Sequence, residues 1–147
     1  MTWAFSINTQ TDPSALRVVR RTIRDLVARE GGSENDAWDL ELALGEALFN
    51  AYSHAYPDAV GPVEVTVIFN DGTFTLTVRD HGEPVSPPTI PRSLPEDRHG
   101  LGLFVISSLV DYVGIRQNED AAGRGVSITM IKRLQSGDQT ANEAMRD

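Results

Sequence analysis

The alternation of apolar and polar positions along the chain predicts strands and helices in turn. Trp3-Ala4-Phe5-Ser6-Ile7-Asn8 alternates with the period of a half-buried strand. Thr11-Asp12-Pro13 then opens a helix, with Asp12 or Thr11 as the N-cap and Pro13 in the first turn. Leu16, Val19, Ile23, Leu26 and Val27 form its core stripe, and Gly31-Gly32 ends it. Ser33 or Asn35 caps a second helix that runs toward Pro57. Beyond the Gly61-Pro62 break, Val63, Val65, Val67 and Phe69 share one face of a strand, and Asn70-Asp71-Gly72 is a hairpin turn. The returning strand puts Phe74, Leu76 and Val78 on its apolar face, with Asp80 continuing that period.

The second helix carries an unusual pattern. At the α-helical period Glu46, Asn50 and His54 fall within an arc of about 80°. Trp38, Leu42, Phe49 and Tyr52 lie on one side of that arc; Leu40, Leu44, Ala47 and Ala51 lie on the other. Apolar flanks on both sides predict a buried helix whose three polar residues line an internal pocket. A buried carboxylate needs a partner, so the stripe calls for a function.

Between Pro84 and Pro95 stand five of the eight prolines (Pro84, Pro87, Pro88, Pro91, Pro95), which excludes a helix or central strand and predicts a long loop. His99-Gly100-Leu101-Gly102-Leu103 follows and opens a third helix, read through Val113. Glycines at a helix start expose backbone N–H groups to anions. Strands are predicted near 115–118 and 126–133. Residues 135–147 read as a polar, frayed tail behind one domain spanning 1–134. Three helices with a mixed, mostly antiparallel sheet give an α+β fold, a two-layer α/β sandwich with the helices on one face.

Composition narrows the function classes. The 147 residues carry a net charge of −8, which argues against general nucleic-acid binding. There is no cysteine, hence neither disulfide framework nor thiolate metal site. No apolar run reaches the ~20 residues that span a bilayer, and the first residues are not signal-like, so a cytoplasmic protein is expected. Of the 13 basic residues only Lys132 is a lysine. Arg17, Arg20, Arg21, Arg24 and Arg29 share the first helix, where a guanidinium-rich face suits carboxylates or phosphates on a partner.

Three features therefore converge on one site: the Glu46/Asn50/His54 stripe, Asp80-His81-Gly82 at a strand end, and Gly100-Leu101-Gly102 at a helix start. In this order, with the proline-rich loop between the last two, they resemble the GHKL (Bergerat-fold) ATPases, and within them the anti-sigma factor serine kinases of the RsbW/SpoIIAB type. Glu46-Ala47-Leu48-Phe49-Asn50 is similar to the N-box, Asp80-His81-Gly82 to the adenine box, and Gly100-Leu101-Gly102-Leu103 to the second glycine box.

The resemblance implies that ATP is bound by Asn50, Asp80, Gly82, Gly100, Leu101 and Gly102. Asp80 would accept from the adenine amine, and the glycine box would donate to the phosphates. Asn50 would supply an amide oxygen to Mg²⁺, and Glu46 would orient or deprotonate the attacking hydroxyl. Arg98, ahead of Arg92, would neutralise charge on the transferring group. His54 is a neighbour of the site. Pro84 stands where the superfamily often has a second glycine, so the adenine loop is shaped differently.

The implied activity is that of a serine/threonine kinase that phosphorylates a STAS-domain antagonist and sequesters a sigma factor, with Arg17, Arg20 and Arg24 as the partner surface. Neither nucleic acid nor membrane is an expected partner, and a homodimer is left open. The alternative is a regulatory module that binds ATP without transferring phosphate.

Overall fold

The computed structural model describes residues 1–57, 59–82, 89–96, 100–118 and 125–135. Five strands and three helices follow one another as β1 (Thr2–Gln10), α1 (Pro13–Arg29), α2 (Glu34–Asn50), β2 (Pro62–Asn70), β3 (Thr73–Asp80), α3 (Leu101–Leu109), β4 (Tyr112–Gln117) and β5 (Val126–Arg133). A single π turn, Ala51–Ala55, extends α2. The sheet runs β1-β2-β3-β5-β4, with all four described ladders antiparallel. This is the α+β, two-layer arrangement expected from the pattern.

One sheet face is apolar because each strand alternates. Val63, Val65, Val67, Phe69, Phe74, Leu76 and Val78 are buried beneath the helices. Leu16, Val19, Ile23 and Val27 of α1 and Leu40, Ala43, Leu44, Ala47 and Leu48 of α2 meet them from above. Fully burying a side chain of leucine size contributes about 1.5–3 kcal/mol, so this shared layer supplies most of the driving force. The opposite face is polar, with Ser6 against Thr66 at 3.3 Å and Thr77 against Thr129 at 3.2 Å.

The termini of the elements settle open points of the sequence. Asp12 caps α1, its Oδ2 accepting the Ala15 N–H at 3.1 Å. Thr11 instead is fully buried and ties the end of β1 to Gly61, accepting its N–H at 3.1 Å. Ser33 caps α2 in a reciprocal capping box with Asp36. Asp71 (φ 45°) and Gly72 (φ 87°) make the hairpin turn between β2 and β3.

Two expectations need correction. The third helix ends at Leu109 rather than Val113, because Tyr112 and Val113 pair with Ile131 and Met130 of β5 and start β4 early. The α2 helix is not buried on both flanks. Leu40, Leu44, Ala47 and Ala51 are buried, but Trp38, Leu42, Phe49 and Tyr52 face solvent. Its inner side shares the cover of the sheet with α1, and the second apolar line is left outside that core. No described helix is long and apolar enough to cross a membrane.

Candidate functional site

The core is capped at one end by an aromatic cluster, Trp3, Phe5, Phe69 and Phe74, with ring centroids 4.9–5.9 Å apart. The candidate site lies at the other end, where β3 finishes at Asp80 opposite Val63.

Asp80 is half-buried and held by backbone. Its Oδ1 accepts the N–H groups of Gly82 and Val126, each at 3.1 Å. The Asp80 carbonyl accepts from Asn118 Nδ2 at 2.7 Å, and Asn118 in turn accepts from Ser127 Oγ. One carboxylate oxygen is thus fixed by the fold, which orients the other.

Gly82 brings this strand end against the end of the second helix. A Cβ there would collide with the Ala55 backbone, carbonyl and Cα alike, so only glycine permits the approach. Tyr56, just beyond the π turn, locks the same junction. Its hydroxyl donates to the Pro62 carbonyl at 2.6 Å and accepts the His81 N–H at 2.8 Å. Burial raises the Tyr56 pKa; the His81 N–H opposes that and the Asp80 charge adds to it.

The helix supplies the third side. Glu46 and Asn50 are half-buried, one turn apart on α2. A Cβ on Gly102 would sit 2.7 Å from Glu46 Oε2, so the carboxylate rests against the start of α3. Gly100 caps that helix in the left-handed region (φ 78°) without a side-chain cap, under the Pro91 ring. The opening N–H groups of α3, those of Leu101 and Gly102 among them, have no intrahelical acceptor, and Gly102 itself stands against Glu46.

The structure therefore brings together Glu46, Gly102 and Gly100 on one side and Asp80, Gly82 and the end of the π turn on the other, with Asn50 on the connecting helix. His54 is not part of this wall. The π turn rotates it off the α-helical stripe, and its side chain is exposed. Leu101 is also exposed, as are His81 and Arg92. Arg98, His99 and Pro84 lie outside the described residues. Sequence reasoning missed Tyr56, Asn118 and Ser127. Each is a polar residue at the end of an element, a place where loops usually hold such residues, and only the long-range pairing reveals their role.

On the first helix, Arg20 and Arg24 face α2. Arg24 pairs with Glu41 at 3.3 Å and stands 5.9 Å from the centre of the Trp38 ring. Arg20 lies across Gly45, where a Cβ would be 3.0 Å from its Cδ. Arg17 is exposed.

Residues 9–132 match the family described as histidine kinase-like ATPase domain. The serine-protein kinase RsbW of Bacillus velezensis is 30% identical over 136 residues, covering 84% of this chain and 81% of that protein. RsbW of Bacillus thuringiensis is 28% identical over 130 residues, covering 80% and 77%. Among solved structures, the RsbU and RsbW domains of Rv1364c from Mycobacterium tuberculosis superpose with a TM-score of 0.66 at 24% identity, covering 90% of this chain and 32% of that one. The SiaB–SiaC complex from Pseudomonas aeruginosa gives 0.65 at 15% identity, covering 86% and 89%, and shares the fold. The chain belongs to the histidine kinase-like ATPase family, on the branch of the RsbW-type serine-protein kinases.

Proposed function

We propose that the chain transfers the γ-phosphoryl group of ATP to a serine or threonine hydroxyl of a STAS-domain anti-sigma factor antagonist, and that it holds a sigma factor when that antagonist is phosphorylated. The observation that carries the reading is the closeness of Glu46 to Gly102, where an added Cβ would meet the carboxylate at 2.7 Å: a base at Glu46 would stand near a helix start whose N–H groups suit phosphates. Asp80, with one oxygen already occupied by Gly82 and Val126, would offer the other to the adenine amine. In the transfer, the substrate oxygen bonds to the γ-phosphorus, the bond from that phosphorus to the β,γ-bridging oxygen breaks, and Glu46 takes the hydroxyl proton.

Mg²⁺ fits the donors present. Asn50 offers an amide oxygen one turn from Glu46, and no group of three His, Cys, Asp or Glu forms a cage among the described residues. Such a sparse oxygen set suits a cation held chiefly by phosphates and water. When bound, it would neutralise charge on the β- and γ-phosphates.

Purified protein, Mg-ATP and the cognate antagonist test the reading. Phosphate on an antagonist serine or threonine, lost in Glu46→Ala, is the expected result; a stable complex without transfer would instead identify a nucleotide-dependent binding module. For the partner surface, Arg20→Glu with Arg24→Glu should weaken antagonist or sigma-factor binding. Unchanged affinity places that surface elsewhere.

A further inference from the structure

The outward side of α2 and its π turn carries Trp38, Leu42, Gly45, Phe49 and Tyr52, spaced four, three, four and three. That is the interval of a helix–helix seam, and it runs for about 21 Å at the α-helical rise. The four side chains are 59, 41, 58 and 44% exposed. Phe49 and Tyr52 form a tilted ring pair, 6.0 Å between centroids. At the centre, where Gly45 has no side chain, the Arg20 stem crosses the seam. An apolar line of this length on the solvent side of a helix marks an interaction surface.

The banks of the seam differ. The α1 bank carries Arg17, Arg20, Arg21 and Arg24, with Asp25 and Glu34 beside Arg24 only at the Trp38 end. Among the described residues only Arg24 of these forms an ion pair, with Glu41. The far bank is the Glu46 side, toward α3. A ligand seated here meets apolar surface along its middle and unpaired guanidinium groups along one edge. A second copy of the chain offers arginines beside the same seam and does not complement it.

We propose that this seam docks an amphipathic helix of a partner protein, with apolar residues at the same spacing and carboxylates along the edge facing α1. Phe49 directly precedes Asn50, so a helix on the seam would run alongside the candidate phosphate site. The inference rests on the chain's binding a protein partner, and not on its transferring phosphate. Arginine on the bank, rather than lysine, favours planar, two-pronged pairing with those carboxylates.

The test uses the full chain and two fluorescein-labelled helical peptides of about five turns, both with leucine at four-three intervals. One has glutamate along one edge and the other has lysine. Anisotropy should show saturable binding of the glutamate peptide and at least tenfold weaker binding of the lysine peptide. Leu42→Ser with Phe49→Ser should weaken the glutamate peptide at least tenfold while leaving stabilisation by Mg-ATP intact, which shows that the variant is folded. Arg17→Glu with Arg21→Glu should reverse the preference between the peptides. Equal binding of the two peptides, or binding that survives the seam substitutions, overturns the proposal. So does a concentration-dependent dimer abolished by Phe49→Ser, which assigns the seam to a second copy. Failure of the kinase reading is separate: it appears as absent phosphate transfer with peptide binding retained.

Discussion

The Tyr56 hydroxyl bridges two segments that flank the candidate nucleotide site, accepting the His81 N–H and donating to the Pro62 carbonyl. Tyr56→Phe removes both bonds while keeping the ring that packs under Gly61. Each bond is partly solvated, so a loss of about 1 kcal/mol in denaturant unfolding is expected. ATP affinity should fall by a larger factor than stability suggests, since His81 joins Asp80 to Gly82.

The same residue gives a pH signature. Burial holds the Tyr56 pKa above its ordinary value of 10.0. The folded state therefore keeps that proton to higher pH than the unfolded chain. The resulting stabilisation is complete below pH 10 and is lost as pH rises through the folded value. Unfolding of the wild type and of Tyr56→Phe should thus converge above pH 10. A constant gap would show that Tyr56 does not titrate in this way.

Asp80→Asn separates fold from recognition. An amide oxygen can still accept from Gly82 and Val126, so melting should change little. The second oxygen becomes an NH₂ donor, which would oppose an adenine amine and complement a guanine carbonyl. ATP binding, measured by calorimetry, should weaken at least tenfold, with the preference moving toward GTP.

Gly102→Ala and Gly82→Ala should fail differently. The new Cβ at 102 meets the flexible end of Glu46, which can swing aside. Alanine is the better helix former inside α3, so stability should change little, while turnover should fall at least tenfold if the displaced Glu46 is the base. At position 82 the Cβ meets the rigid Ala55 backbone, so a cost of about 1–3 kcal/mol is expected in unfolding, together with lost nucleotide affinity.

Asp36 joins the start of α2 to the end of the sheet. Its Oδ2 accepts the Ser33 N–H at 3.1 Å and the Gln135 N–H at 2.8 Å, and the residue is 1% exposed. Asp36→Ala leaves both donors without this acceptor and should cost about 2–3 kcal/mol in chemical denaturation.

Most strands and helix starts were legible because alternation, caps and turn residues act locally. The hairpin at Asp71-Gly72, a cap at Asp12 or Thr11 and the inward phase of Asp80 each followed from a few neighbouring residues. The glycines at 82, 100 and 102 were also legible as a pattern, and the structure gives each a contact that accounts for it. What local pattern could not give was the outer line of α2. Trp38, Leu42, Phe49 and Tyr52 look like core by composition, and only the packing of the other side of α2 with α1 and the sheet decides that they are not. The links from Asn118 and Ser127 to Asp80 were hidden for another reason: they depend on which strands pair, which no single segment encodes.

The π turn at Ala51–Ala55 sets the phase between two rigid frameworks. Upstream, α2 is indexed to the sheet by Ala43, Ala47 and Leu48. Downstream, Ala55 and Tyr56 are indexed to the ends of β2 and β3 through Gly82, Pro62 and His81. The wider turn absorbs the mismatch between those two registers, as an extra tooth does between gears. Chain length between Asn50 and Ala55 is therefore under tighter constraint than residue identity. Shortening that segment by one residue would rotate the Tyr56 lock away from the strand ends even if every side chain of the site were kept.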